Sequence, residues 1–169
     1  IGDDVAAIAV MPAPIPWSNI EGPCATAWWW PDATEKMRNH TSHILVALLK
    51  QTRTPVERCI MLTRLTTAVI AQTDAVGVYW GAGTLVHDPN VFTKMAEDMS
   101  PGSPPLFLWV DFRIEQNEDG SYRLFTTGME TFDHREIEIL HSIQKPSDIL
   151  EFAHAISDYV VGSNKTIHD

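Results

Sequence analysis

The chain has 169 residues, close to the roughly 150 of one ordinary globular domain. Hydrophobic residues make up 44% and charged residues 20%, a balance that excludes a disordered or fibrous chain. Twelve Lys and Arg against 22 Asp and Glu leave a formal charge of -10, and so acidic a surface repels phosphate backbones and anionic lipid. Nucleic acid and membrane are therefore not expected partners. No run reaches the ~18 apolar residues of a membrane helix, and the cytoplasm is the expected compartment. Cys24 and Cys59 lie far apart among apolar neighbours and read as two buried free thiols. Because the chain opens on Ile1 rather than Met, its start is expected to be missing.

In chain order, VAAIAVM at residues 5–11 is a short continuous apolar run that predicts a strand buried on both faces, and Pro12, Pro14 and Pro16 then hold the chain extended. ATAWWW at residues 25–30, bracketed by Gly22-Pro23 and Pro31, predicts a short aromatic strand, and residues 32–39 a turn or two of helix. SHILVALLK at residues 42–50 predicts another strand.

Thr54-Pro55-Val56-Glu57 is a capping box with Pro at the first helical position, opening a largely buried helix that runs to about Gln72. AVGVYW at residues 75–80 predicts a core strand broken by Gly81-Ala82-Gly83. Asp88 caps a second helix that carries Val91, Phe92, Met95 and Met99 on one face.

A Pro- and Gly-rich loop spans residues 100–105. Residues 106–115 and 121–127 alternate and predict an antiparallel hairpin with an Asp-Gly turn, the start of the first run being central because both its faces are apolar there. EIEILH at residues 136–141 predicts a half-exposed strand. The last helix begins near Pro146, turns Ile149, Leu150, Phe152, Ala153, Ile156 and Val160 inward, and ends with Gly162 at C′. The expected fold class is α+β: one domain over residues 1–169, with a mixed or antiparallel sheet covered by about three helices.

The segments MPAPIPWSNIEGPCATAWWWP from Met11, HTSHILV from His40, GVYWGAG from Gly77, LWVDFRI before the NEDGS turn, and TTGMETFDHREIEIL together resemble the bacterial proteins carrying domain of unknown function 4261. The most specific part is C-terminal: a strand ending in Thr-Gly-Met, a Phe four residues beyond the Gly, an acidic-aliphatic run, and a helix with an aromatic before its end. The resemblance implies a Gly after that Phe, where this chain has Asp133. It also implies a Gly- and Thr-containing tail, so the C-terminus is expected to be clipped at Asp169. It implies no catalytic residue and no cofactor. In size, acidity and bacterial distribution, proteins of this kind resemble immunity and adaptor proteins.

His40 and His43, spaced H-x-x-H, with His87 as a third group, are the metal-ligand candidates, but a strand sends the first two to opposite faces. A polar strand start, with a ring nitrogen bonded to a backbone carbonyl, is the plainer reading. Asp133-His134-Arg135-Glu136 offers an acid, a base and a cation, yet adjacent residues rarely converge on one atom, and a solvated loop with local pairing is favoured. Asp111 and Arg113 share a strand face and are expected to pair with neighbours across the sheet. Gly81-Ala82-Gly83 lacks the third Gly and the Lys of a phosphate loop, and neither Cys has an activating neighbour, so no cofactor is expected.

Trp17, Trp28, Trp29 and Trp30 remain, as large rigid side chains of the type that anchor interfaces. On a strand, alternation sends Trp28 and Trp30 one way and Trp29 the other, mostly into packing. The function these residues favour is a non-enzymatic protein-binding module, immunity- or adaptor-like. It would use Trp17, Trp28, Trp29, Trp30, Asp133 and His134 against a basic protein partner. The alternative is a small-ligand or metal-binding enzyme using His40, His43, His87 or His134. Nothing in the sequence specifies an oligomeric state.

Overall fold

A computed structural model describes residues 4–50 and 52–163. The described residues form an α+β fold with six helices and seven strands in three antiparallel sheets. The expected class holds, but the single sheet does not.

The first sheet is a ribbon of β1 (Val5–Met11) and β2 (His43–Lys50), with Ile8 opposite Val46 and Val10 opposite Ile44. Both were predicted as strands, but β1 is not buried on either face: Val10 is 72% exposed on one and Met11 41% on the other. No β1 or β2 residue joins either hydrophobic cluster. Hydrophobicity alone did not reveal that β1 stays exposed.

Between the two strands come α1 (Trp17–Thr26), which contains Pro23, and α2 (Ala33–Arg38). The strand expected at residues 25–30 is absent. Thr26 closes α1, and the chain then turns, with Trp28 N–H donating to Thr26 O (2.9 Å), Trp30 N–H to Ala27 O (2.9 Å) and Ala33 N–H to Trp30 O (3.0 Å). The turn lets the three indoles leave the backbone in unrelated directions, and tertiary packing overrides the strand propensity of the aromatic run.

The helix α3 (Pro55–Ile70) opens as predicted: Thr54 Oγ1 accepts from Glu57 N–H (3.4 Å), and Glu57 Oε2 accepts from Thr54 N–H (2.9 Å). A small hairpin follows, β3 (Val78–Trp80) and β4 (Leu85–His87), joined by a 3-10 turn at Gly81–Gly83; β4 has no counterpart in the sequence reading. The cap of α4 (Pro89–Ala96) is Asp88, whose Oδ1 accepts from Asn90 and Val91 N–H.

Residues 106–109 were predicted as the start of a central strand and are instead a helical turn, α5 (Leu106–Trp109), closed by Val110 N–H to Leu106 O at 2.8 Å. Leu106, Leu108 and Trp109 are all fully buried. A strand would have put Leu108 and Trp109 on opposite faces, whereas a helical turn sends all three into one core.

The third sheet holds β5 (Asp111–Gln116), β6 (Tyr122–Thr127) and β7 (Glu138–Ser142), in order β5-β6-β7, so β5 lies at an edge rather than at the centre. The hairpin turn is as predicted: Gly120 takes φ +84°, and Asp119 Oδ1 accepts from Ser121 N–H (3.0 Å) and Oγ–H (2.6 Å). The last helix, α6 (Pro146–Ser163), contains Gly162 instead of ending before it, and its Phe152 faces solvent rather than the core.

Two hydrophobic clusters result. The larger gathers α3, β3, β4, α4, α5, β5 and α6 around Trp80, Phe92, Trp109 and Phe132, and the smaller gathers Ile20 and Cys24 from α1, Trp30 from the turn that follows and Met37 from α2, with Val86. Trp29 packs against both. Cys24 and Cys59 are buried free thiols, as expected, and burial pushes the Cys59 thiol up to about 12.

Candidate functional site

The four tryptophans of the N-terminal segment have four different environments. The indole of Trp17, at the start of α1, lies under the Arg38 guanidinium at 5.0 Å, and Trp30 is 5% exposed with Lys36 Nζ 5.8 Å from its ring centroid. Among the described residues neither indole N–H has a hydrogen-bond partner. Trp29 donates its indole N–H to Val86 O (3.1 Å) and stacks on His87 at 6.2 Å. Trp28 is 69% exposed and meets Trp29 edge to face at 5.6 Å.

Trp28 is therefore the surface end of a chain of rings. From Trp29 the contacts continue through His87 to Phe92 (5.6 Å), to Trp80 (6.3 Å), to Trp109 (6.5 Å) and to Phe132 (5.9 Å). Inside the core, Trp109 donates its indole N–H to Thr63 Oγ1 (2.9 Å), whose own proton goes to Cys59 O (2.8 Å). The sequence reading singled out the tryptophans but could not foresee this order, because it placed Trp28 and Trp30 on one strand face. The structure separates them, Trp30 inside and Trp28 outside.

The histidines bond within the fold. His40 Nδ1 donates to Met37 O (2.6 Å), and its Nε2 accepts from Ile15 N–H (2.7 Å), which sets the neutral tautomer. His43 Nδ1 donates to Ala13 O (2.8 Å). The two rings thus clamp the proline segment, where Pro12, Pro14 and Pro16 have no N–H to offer and Ala13 and Ile15 alternate with them. This is the backbone-bonded reading of the H-x-x-H pair. His87, 2% exposed, donates from Nε2 to Leu108 O (3.2 Å), and burial pushes its imidazole down to about 4. Among the described residues no group of three or more His, Cys, Asp or Glu is placed to hold a metal ion.

Asp133 and His134 lie beyond a 3-10 turn at Met129–Phe132, where Asp133 N–H donates to Glu130 O (3.1 Å) and His134 N–H to Met129 O (3.3 Å). Asp133 has φ +62°, the left-handed region that favours glycine, so its backbone suits the Gly that the family resemblance implies. The acid of this loop with the most bonds is Glu136. Its carboxylate accepts from Thr126 Oγ1–H (2.7 Å), Gly128 N–H (2.8 Å) and Met129 N–H (3.1 Å), closing the turn rather than facing a substrate.

Two features went unnoticed in the sequence. Gly83 and Gly128 meet over the Trp109 carbonyl: a Cβ on Gly83 would lie 2.4 Å from Trp109 O, and one on Gly128, at φ +118°, would lie 2.7 Å from it. Three of the motifs that carry the resemblance, GVYWGAG, LWVDFRI and TTGMETF, thus cross at one point. Spacing gave no signal of it, since the two glycines lie 45 positions apart in the sequence. The second is a pairing along β5: Arg113 donates to Asp111 Oδ2 (2.6 Å) and to Thr26 Oγ1 (3.0 Å), tying the third sheet to the end of α1 just before Trp28. Asp111 pairs with its own strand neighbour rather than across the sheet, and burial still outweighs Arg113 in holding its carboxyl above the ordinary range.

Two surface grooves flank α3 and α4, of about 480 and 380 Å3. None of the tryptophans or histidines discussed above lines either one.

No helix among the described residues is long and apolar enough to cross a membrane. No curated protein and no solved structure matches the chain. A family model described as a domain of unknown function (DUF4261) matches residues 125–169, the stretch in which the sequence resemblance is most specific. The match over those residues, which begin near the end of β6, supports the resemblance to DUF4261 read from the sequence.

Proposed function

We propose that the protein is a non-enzymatic binding module, immunity- or adaptor-like, that engages a protein partner of net positive charge. The observation that carries this reading is Trp28. It is 69% exposed, yet its ring rests edge to face on Trp29, which is itself tied to Val86 and His87. An indole held in place before a partner arrives loses little conformational freedom on binding, which is what makes tryptophan effective as an interface anchor. The formal charge of -10 favours a basic partner and speeds its approach. His40 has both ring nitrogens in backbone hydrogen bonds, and His43 and His87 each give one ring N–H to a backbone carbonyl, which disfavours an enzyme built on these three histidines.

Affinity capture on the immobilised chain tests the proposal. Wild type is expected to retain a basic protein at low salt and to release it at about 1 M salt, where the Debye length falls to about 3 Å. Trp28→Ala is expected to lose that protein while melting at the wild-type temperature. Equal retention by wild type and Trp28→Ala defeats the proposal.

A further inference from the structure

Residues 12–16 connect β1 to α1, and with Pro12, Pro14 and Pro16 among them only Ala13 and Ile15 carry an N–H. His40 joins this segment to α2 with its two ring nitrogens used in opposite senses: Nε2 accepts from Ile15 N–H at 2.7 Å, and Nδ1 donates to Met37 O at 2.6 Å. A neutral imidazole has one lone pair and one N–H to offer, so both bonds exist together only while the ring is uncharged. His43 differs. It meets the same segment as a donor, from Nδ1 to Ala13 O at 2.8 Å, and a donor keeps its bond when the ring gains a proton.

We infer that His40 is a proton-operated latch, holding Ile15 and the prolines around it when neutral and releasing them when charged. A proton on Nε2 removes the lone pair and sets one N–H against another at the Ile15 end, while Nδ1 goes on donating to Met37 O. The ring therefore stays with α2, and the segment leaves it. Ile15 packs half-buried against the small hydrophobic cluster, so turning its N–H to water draws its side chain off that cluster. Histidine is the side chain whose charge changes near neutral pH, which suits it to such a switch.

The titratable groups on the elements next to the ring are Glu21 of α1, Asp32, Glu35, Lys36 and Arg38 at α2, and His43 of β2. Arg38 lies over the Trp17 ring, Lys36 stands 3.7 Å from Asp88, and His43 holds Ala13 O. None of them bonds to His40, because backbone groups occupy both ring nitrogens. The event is thus a proton displacing one backbone N–H rather than the breaking of an ion pair.

Nuclear magnetic resonance of the whole chain, isotopically labelled in nitrogen, reads the latch atom by atom. Near neutral pH, His40 should show the Nδ1–H tautomer and a scalar coupling from its Nε2 to the Ile15 amide nitrogen across the hydrogen bond. On titration to acid the coupling should vanish as His40 charges. The Ile15 amide should then lose about tenfold in its protection factor against hydrogen exchange, the worth of one hydrogen bond. The Trp109 indole N–H, bonded to Thr63 in the larger core, should keep its protection at that step. His40→Gln, whose side-chain oxygen can accept from Ile15 N–H without titrating, should stay latched over the same range. If that variant does not fold, the wild-type titration decides alone. The inference is overturned by an absent coupling at neutral pH, by Ile15 protection indifferent to the charging of His40, by its loss in step with Trp109 and hence with unfolding, or by a folded His40→Gln that opens at the wild-type pH. Trp28→Ala should titrate like wild type, so failure here leaves the binding-module reading standing.

Discussion

His87 illustrates how far one side chain's behaviour depends on what surrounds it. Between Trp29 and Phe92, with Nε2–H given to Leu108 O, its ring is held neutral, and its pKa is pushed down to about 4 from 6.5 by burial. The unfolded chain takes up a proton near pH 6.5 and the folded chain only near 4, so between these values the unfolded state binds more protons. Stability is therefore expected to fall as pH drops from about 6.5 to about 4, by up to about 3 kcal/mol from this group. His154, also lowered by burial and stacked on Phe107 at 4.4 Å, acts with the same sign. Urea midpoints across this range should show a clearly shallower slope in His87→Gln, whose amide can still donate to Leu108 O without titrating. An unchanged slope would place the acid sensitivity elsewhere. The sequence named His87 as a candidate for binding a metal or small ligand, because a periodic pattern shows neither the depth of a ring nor the carbonyl it meets.

At the scale of elements, what the sequence states locally is what the fold realises. The two helices with side-chain caps, α3 and α4, begin where Thr54 and Asp88 indicate, since a cap involves residues two or three apart and needs no distant partner. Thr54→Ala should cost about 1 kcal/mol, read as a fall of roughly 2–4 °C in melting temperature, with Thr54→Ser close to wild type. If the alanine variant melts with wild type, the capping box contributes nothing to this helix. Elements set by long-range packing were misread: residues 25–30 and 106–109 both have strand composition, and both turn instead. In the second case, Leu106, Leu108 and Trp109 are all buried from a single helical turn. The strand β4, three residues long, was too short to declare itself by alternation.

Across the whole molecule, Trp29 is the side chain that packs against both hydrophobic clusters, while its neighbour Trp28 faces solvent. Trp29→Ala is expected to cost roughly 3–4 kcal/mol, from lost packing and an unpaired Val86 carbonyl, while Trp28→Ala stays within about 0.5 kcal/mol of wild type. Chemical denaturation of the two variants measures the contrast, and equal losses would refute the division into an inward and an outward tryptophan. The amino-acid sequence by itself determined the α+β class, the buried thiols, the capped helices, the Asp-Gly hairpin, the acidic charge and the C-terminal family signature. These depend on composition or on residues close along the chain. Only the tertiary structure decided that β1 is exposed, that the sheet is divided in three, that Gly83 and Gly128 meet at the Trp109 carbonyl, and that Trp28 alone of the three consecutive tryptophans faces outward. Each of these depends on which distant surfaces meet, and periodicity along the chain carries no record of that.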